Sequence, residues 1–174
     1  MKEVWDIIKK DLEKYIPASG KITFRLLLCN YIKVEGFHYT VIFRLANYFS
    51  TTPVLSGMFR VWLKNLSHRY GILIPIGTRI GEGLVIAHFG GIVVNQNAVI
   101  GKNFYLRPNV VIGAGKNGEC PVFGDSVNVG AGAVIIGGIK VGNGVTIGAG
   151  SVVVHDVSEG VTVVGNPAKE VIHG

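Results

Sequence analysis

The sequence predicts a mainly β fold: a parallel β-helix of six-residue repeats that follows a small α-helical segment. Two observations support it, a change in composition near Tyr70–Gly71 and an apolar repeat beyond that point. The chain has 174 residues, and 3 of its 25 Gly lie before residue 71, against 22 after it. Of the 16 aromatic residues, 12 lie before residue 71. We therefore divide the chain into residues 1–70 and 71–174.

Residues 1–70 show the apolar spacing of amphipathic helices. Apolar side chains recur at intervals of three and four, as on one face of a helix. We predict helical runs over about residues 4–16, 22–34, 39–49 and 55–70, with breaks at Pro17 to Gly20, at Gly36 and at Thr51–Pro53. The apolar faces of these helices must be covered, and we favour packing of the helices on one another and on residues 71–174. The alternative is contact with an anionic membrane surface.

Residues 71–174 contain apolar anchors that recur at a spacing of six, with two interruptions. The anchors are Ile74, Ile80 and Ile86, then Val94, Ile100, Leu106 and Ile112 after a two-residue insertion, and Phe123, Val129, Ile135, Val141, Ile147 and Val153 after a loop. A period of six fits neither a helix nor a flat strand. It predicts a chain that turns a corner every six residues, so that three sides close one coil of a triangular prism. A Gly-rich β-sandwich is the alternative, and it would have irregular turn spacing.

The composition excludes several classes of protein. Hydrophobic residues make up 48% of the chain, which argues against disorder. The net charge of +6 lies in residues 1–70, where 11 basic residues face 5 acidic ones, but no dense basic cluster indicates a nucleic-acid partner. No Cys/His spacing indicates a metal site. With no signal peptide, no membrane-length apolar run and two separated Cys, we expect a cytoplasmic protein.

Three stretches of the second region are similar to the hexapeptide-repeat acyltransferases: IGEGLVIAHFGGIVVNQNAVIG, VGAGAVIIGGIKVGNGVTIGAGSVVV and VVGNPAK. Within that family the chain most resembles serine acetyltransferases and related polysaccharide O-acetyltransferases. The FRLANYF segment is loosely similar to the helices that precede the repeat in serine acetyltransferases. The resemblance implies a left-handed coil, acetyl-CoA as acyl donor, and a homotrimer with the cofactor in a groove between two subunits.

His88 is the candidate catalytic base. It lies two positions after anchor Ile86, so it points outward in the predicted register, and a two-residue insertion follows it. An imidazole can accept the proton of a hydroxyl as that hydroxyl attacks a thioester. The resemblance implies the same role, because the family's essential His falls in the matching LVIAHFG segment. An exposed His without function is the alternative, and the region's other histidines are His155 and His173.

At three places the sequence departs from the serine acetyltransferase pattern. Ala87 and Leu73 stand where that pattern has Asp, and Glu119–Cys120–Pro121 replaces Arg-His-Pro. We therefore expect an O-acetyltransferase whose acceptor is the hydroxyl of a sugar or polysaccharide precursor. Serine is the alternative acceptor, and a non-catalytic β-helix scaffold is the alternative of another class. The residues that could orient the His88 imidazole instead are Glu82, Asn95 and Asn97.

Contacts to acetyl-CoA follow from the resemblance. It implies that a Gly-rich segment and successive small corner residues line the channel for the pantetheine arm. The predicted cofactor-binding residues are Gly113, Gly115, Lys116, Ala131, Ala149 and Lys169. The two lysines would bind the cofactor phosphates by charge.

If residues 1–70 contact a membrane, their net positive charge favours its inner face, where anionic lipids lie.

Overall fold

Four helices precede the β-coil in the computed structural model, which describes residues 1–16 and 23–171. The helices are Lys2–Glu13 (α1), Phe24–Lys33 (α2), Glu35–Tyr48 (α3) and Pro53–Tyr70 (α4). The predicted helical segment is confirmed. The break predicted at Pro17 to Gly20 lies outside the described residues. Within those residues, every helix is too short or too polar to cross a membrane.

Gly36 lies inside α3, so the helix break predicted there is wrong. The chain instead breaks at Val34, between α2 and α3. Gly36 faces the backbone of the coil, and a Cβ atom at this position would stand 2.0 Å from the Ile86 carbonyl oxygen. The residue is therefore Gly because α3 approaches the coil closely, and it does not end the helix.

Within the described residues, fifteen short strands wind into a parallel β-helix with three faces, and the strands from β1 to β13 occupy the faces in turn. The first face contains Ile72–Leu73 (β1), Ile92–Val94 (β4), Val111–Gly113 (β7), Val134–Ile136 (β10) and Val152–Val153 (β13). The second contains Arg79–Ile80 (β2), Val99–Ile100 (β5), Val122–Phe123 (β8) and Lys140–Val141 (β11). The third contains Val85–Ile86 (β3), Tyr105–Leu106 (β6), Asn128–Val129 (β9), Thr146–Ile147 (β12), Thr162–Gly165 (β14) and Ala168–Glu170 (β15).

The sixth-position anchors form the core of the prism, as predicted. Every anchor except the partly exposed Ile80 is buried, and so are most residues four positions after an anchor, for example Ala98, Val127 and Ala133. All pairings between faces of successive coils are parallel, and only β15 reverses, running antiparallel along β14. The β-sandwich alternative is wrong, because a sandwich would not place every third strand on the same face.

Close stacking of the coils dictates small residues at their corners. A Cβ atom on Gly101 would stand 2.4 Å from the Gly124 carbonyl oxygen of the next coil. No side chain fits there unless the coils separate. A Gly directly follows several anchors, as at Gly101, Gly124 and Gly130, and it reflects the close spacing between coils.

A buried ion pair joins the helices to the first coil. Arg44 in α3 donates to both carboxylate oxygens of Asp11 in α1, at 2.9 and 3.2 Å. Asp11 also accepts from the backbone N–H groups of Gly83 and Leu84, at 2.7 and 2.8 Å. Burial raises the pKa of Asp11, and the Arg44 guanidinium and these N–H groups oppose that rise. Two helices and one corner of the coil thus share one carboxylate.

Arg44 also binds the coil directly. Its guanidinium donates to the carbonyl oxygens of Ile80 and Gly81, at 2.7 and 2.6 Å. Nearby, the Tyr15 hydroxyl accepts from the Ile86 N–H at 2.8 Å. Burial raises the pKa of Tyr15, and the hydrogen bond with the Ile86 backbone opposes that rise. The helical segment is therefore fixed on the coil end that carries His88.

Candidate active site

The outward residues of the prism fall into three corner columns, one at each junction between faces. His88 lies where the chain passes from the third face to the first, directly after β3. The same junction in the following coils contains Arg107, Ala131 and Ala149. We call the residues at this junction, namely His88, Arg107, Ala131 and Ala149, the His88 column.

His88 is exposed, as the predicted register requires, and the backbone on both sides of it is hydrogen-bonded to the next coil. The Ala87 N–H donates to the Leu106 carbonyl at 3.0 Å, and the Asn109 N–H donates to the Gly90 carbonyl at 2.8 Å. Within the described part of this subunit, no side chain forms a hydrogen bond with the His88 ring. The imidazole therefore projects from a corner that is hydrogen-bonded on both sides, and it is open to a substrate.

The loop beside His88 rests on the end of the helical segment. The Phe89 ring packs on the Tyr70 ring, with their centroids 5.6 Å apart. The Tyr70 hydroxyl lies 3.2 Å from Nδ1 of His38, whose ring also packs on Tyr31 at 4.3 Å. Burial lowers the pKa of His38, and the positive charge of Arg69 adds to this effect. Helices α2, α3 and α4 thus support the loop that follows His88.

The three proposed orienting residues lie on the other two columns of the same subunit. Glu82 binds the ammonium groups of Lys10 at 2.8 Å and Lys102 at 3.3 Å, and the hydrogen bond from Lys10 lowers the pKa of Glu82. The Asn95 side chain accepts from the Asn97 N–H at 3.0 Å and so closes a turn. The structure does not bring these residues to His88 within one subunit.

The predicted cofactor-binding residues divide between two edges of the first face. Ala131 and Ala149 stand on the His88 column, where the Gly150 N–H donates to the Ala131 carbonyl at 2.8 Å. Gly113, the last residue of β7, lies at the opposite edge, and Gly115 and Lys116 follow it at the start of the loop between β7 and β8. Lys169 lies in β15 on the third face. One subunit alone does not bring these groups together.

Sequence reasoning missed Arg107, which follows anchor Leu106 as Ala87 follows Ile86. Its guanidinium donates to the side-chain oxygen of Asn128 and lies 4.7 Å from the centroid of the Tyr105 ring. Tyr105 and Asn128 also line a groove of about 310 Å³ on the third face, together with Lys14. The signal available in the sequence was a cation at the corner position directly after an anchor.

The chain is similar to serine acetyltransferases over almost its whole length, although no protein-family model matches it. It is 32% identical to the serine acetyltransferase of Buchnera aphidicola subsp. Acyrthosiphon pisum, over 98% of this chain and 62% of that protein. It is 44% identical to a probable serine acetyltransferase 4 of Oryza sativa subsp. japonica, over 61% of this chain and 35% of that protein. The chain thus spans less than two thirds of these curated relatives.

Solved structures show the same relationship. The serine acetyltransferase of Neisseria gonorrhoeae in complex with serine is 31% identical, with a TM-score of 0.82 over 98% of this chain and 70% of that one. The soybean serine acetyltransferase apoenzyme is also 31% identical, with a TM-score of 0.83 and the same coverage. The chain therefore belongs to the serine acetyltransferase family of hexapeptide-repeat acyltransferases.

Proposed function

We propose that this protein transfers the acetyl group of acetyl-CoA to a hydroxyl, with His88 as general base. The observation that carries the proposal is the exposed imidazole of His88 at the corner after β3, in a chain of this family. Ala131 and Ala149 continue the same column and leave room for a thin cofactor arm. The non-catalytic scaffold alternative gives no reason for an open imidazole beside a column of small residues.

In the proposed reaction, a ring nitrogen of His88 accepts the proton of the acceptor hydroxyl as its oxygen attacks the thioester carbonyl carbon. A C–O bond forms, and the carbonyl oxygen gains negative charge that backbone N–H groups of the Gly-rich corners can stabilise. The C–S bond then breaks, and the sulfur of CoA takes the proton from His88. The products are the acetyl ester and CoA.

We propose that the complete site lies between two subunits of a homotrimer. The first face exposes apolar residues, among them Leu73, Val93 and Ile136, and such a face favours contact with another subunit. The two groups of predicted cofactor contacts stand at opposite edges of this face. A second copy packed beside the first would bring its loop at Gly113 to Lys116 towards His88.

For the acceptor, we propose the hydroxyl of serine. The named relatives are serine acetyltransferases, and the similar N. gonorrhoeae structure is a complex with serine. The sugar acceptor expected from the sequence has no support among these relatives. It stays a second candidate because of Ala87 and Glu119–Pro121, where the groups that characterise the serine enzymes are absent. Parallel assays with serine and with nucleotide sugars decide between the two acceptors.

We also propose that the enzyme works in the cytoplasm, with its helical segment against the inner face of a membrane. Helices α2 and α4 contain five Lys and Arg residues and no acidic residue. They expose apolar side chains beside these cations, including Phe24, Ile32, Val54 and Val61. Co-sedimentation with phosphatidylglycerol vesicles, decreasing as salt rises, is the expected result. Equal recovery with phosphatidylcholine vesicles would count against an electrostatic attachment.

His88→Ala and His88→Gln test the proposed base. Thiol release from acetyl-CoA in the presence of acceptor should fall by about 10²–10⁴-fold in both variants. CoA binding by titration calorimetry should persist, because the imidazole does not hold the cofactor. His155→Ala replaces another exposed His and is the matched control, with turnover unchanged. Full turnover by His88→Ala with an identified acceptor would reject the assignment, and wild-type protein that fails to bind CoA would favour the scaffold.

A further inference from the structure

The segment that directly follows His88 has a single side chain. It consists of Phe89, Gly90 and Gly91, at the two-residue insertion of the repeat. The two glycines have φ values of 114° and 65°, and a Cβ atom on Gly90 would meet no atom within 4 Å. Glycine backbone is conformationally permissive. Every side-chain contact that this segment makes therefore runs through the Phe89 ring.

The Phe89 ring packs on an aromatic ring of the helical segment. Its centroid lies 5.6 Å from the centroid of the Tyr70 ring, within the range in which aromatic pairs attract each other. Phe89 is 48% exposed, whereas Tyr70 is 7% exposed. Tyr70 is thus the fixed member of the pair, and the position of Phe89 depends on it.

Tyr70 is itself held by side chains of other helices. It is the last residue of α4, and helix ends fray unless they are held. Its hydroxyl lies 3.2 Å from Nδ1 of His38 in α3, and the His38 ring packs on Tyr31 of α2 with centroids 4.3 Å apart. Helices α2 and α3 therefore fix the end of α4 through the Tyr70 side chain.

The His38 imidazole forms this hydrogen bond at a cost. Within residues 1–16 and 23–171, its Nε2 is buried and has no hydrogen-bond partner. A buried polar atom without a partner costs free energy, and such atoms in native proteins call for an explanation. An apolar side chain at this position would avoid the cost. The imidazole is therefore best explained by a need to fix the Tyr70 hydroxyl.

We propose that Tyr70 is a positioning residue for His88, because it holds the Phe89 ring, and that His38 holds the Tyr70 hydroxyl for this purpose. This inference rests on the proposed acetyl transfer and adds the residues that place its base. Among the described residues of this subunit, no side chain forms a hydrogen bond with the His88 ring. The imidazole thus depends on its backbone for its position. A displacement of about 1 Å at a reacting group can reduce the rate by about 10²-fold.

Phe89→Ala and Tyr70→Leu test the contact between the two rings. In each variant the kcat of acetyl transfer to serine, or to the nucleotide sugar that serves as acceptor, should fall by about 10–100-fold, while the KM for acetyl-CoA stays within about twofold. The double variant should lose no more than the larger single loss, because the two residues act in series. Tyr48→Ala removes another half-exposed ring, packed on Phe49 at 4.9 Å, and is the matched control with kcat unchanged.

Tyr70→Phe keeps the ring, removes only the hydroxyl, and serves if Tyr70→Leu fails to fold. Its kcat should fall by about threefold or more, as should that of His38→Leu, and the two changes together should cost no more than one. Tyr39→Phe is the control for the loss of a buried hydroxyl, which accepts from the Ile74 N–H at 3.1 Å. It should lower stability and leave kcat unchanged, which separates positioning from a contribution to folding.

Amide hydrogen exchange followed by mass spectrometry tests the same contact without an acceptor. In Phe89→Ala and Tyr70→Leu, a peptide covering residues 87–92 should exchange about tenfold faster or more, while a peptide covering residues 127–136 is unchanged. If the wild-type enzyme acetylates neither acceptor, the proposed function fails, and the exchange rates alone then decide whether Tyr70 holds the segment after His88.

The role of Tyr70 is rejected if Tyr70→Leu shows wild-type kcat, whether or not the exchange of residues 87–92 rises. It is also rejected if Phe89→Ala raises only the KM for the acceptor and Tyr70→Leu has no effect. That result would place the Phe89 ring against the acceptor instead of in support of His88.

Discussion

Replacing Asp11 with Ala tests how the helical segment is attached to the coil. The change removes the carboxylate that accepts two hydrogen bonds from Arg44 and two from the Gly83 and Leu84 N–H groups. It leaves a cation that is 7% exposed without its partner. Breaking a buried pair from one side costs about 3–5 kcal/mol. Each buried N–H group that is left without an acceptor costs about 1–3 kcal/mol more, but these costs and that of the broken pair are not additive.

We therefore expect Asp11→Ala to lower the free energy of unfolding by about 4 kcal/mol, which for a chain of this size corresponds to about 8–16 °C in Tm. Chemical unfolding followed by circular dichroism at fixed protein concentration measures the change, since assembly makes stability depend on concentration. Asp6→Ala breaks an exposed pair with Lys9, 3.8 Å long, and should cost less than about 1 kcal/mol.

The double variant Asp11→Ala/Arg44→Ala completes the test. Its loss should be smaller than the sum of the two single losses, because the second change removes the charge that the first one strands. A loss below about 1 kcal/mol for Asp11→Ala, or additive single losses, would refute the view that this pair fastens the helices to the coil.

Three further outcomes are expected from unfolding measurements. Gly101→Ala should lose about 1–3 kcal/mol, because a Cβ atom would meet the Gly124 carbonyl at 2.4 Å. Gly57→Ala, in α4 with no atom within 4 Å of the new Cβ, should gain about 0.5–1 kcal/mol. Burial and Arg69 lower the pKa of His38 below its unfolded value, so stability falls as pH drops below about 6.5, and His38→Gln should lessen that fall.

The repeat made the coil predictable from the sequence. Each anchor occupies the same position on its side of the coil. The period of six therefore gives the number of residues between corners and identifies the side chains that point into the prism. For the same reason the outward position of His88 followed from its offset of two from Ile86. Helix α4 ends at Tyr70 and β1 begins at Ile72, on either side of the change in composition near Gly71.

Contacts between distant segments were not predictable. The sequence alone predicts a helix break at Gly36, because the close approach of α3 to the Ile86 backbone is not visible in it. Arg107 is an outward corner residue, and outward positions carry no period that would connect it with Tyr105 and Asn128. Glu82 has the chemistry of an orienting group, but its place in the coil puts it between Lys10 and Lys102.

The open end of a parallel coil is a template on which another chain can add strands and extend a fibre. On the third face, β15 turns back along β14 and occupies the hydrogen-bonding edge itself. At the other end, α3 lies against the first coil, and the Arg44 guanidinium binds the free carbonyls of Ile80 and Gly81. These features disfavour end-to-end growth of the coil into a fibre.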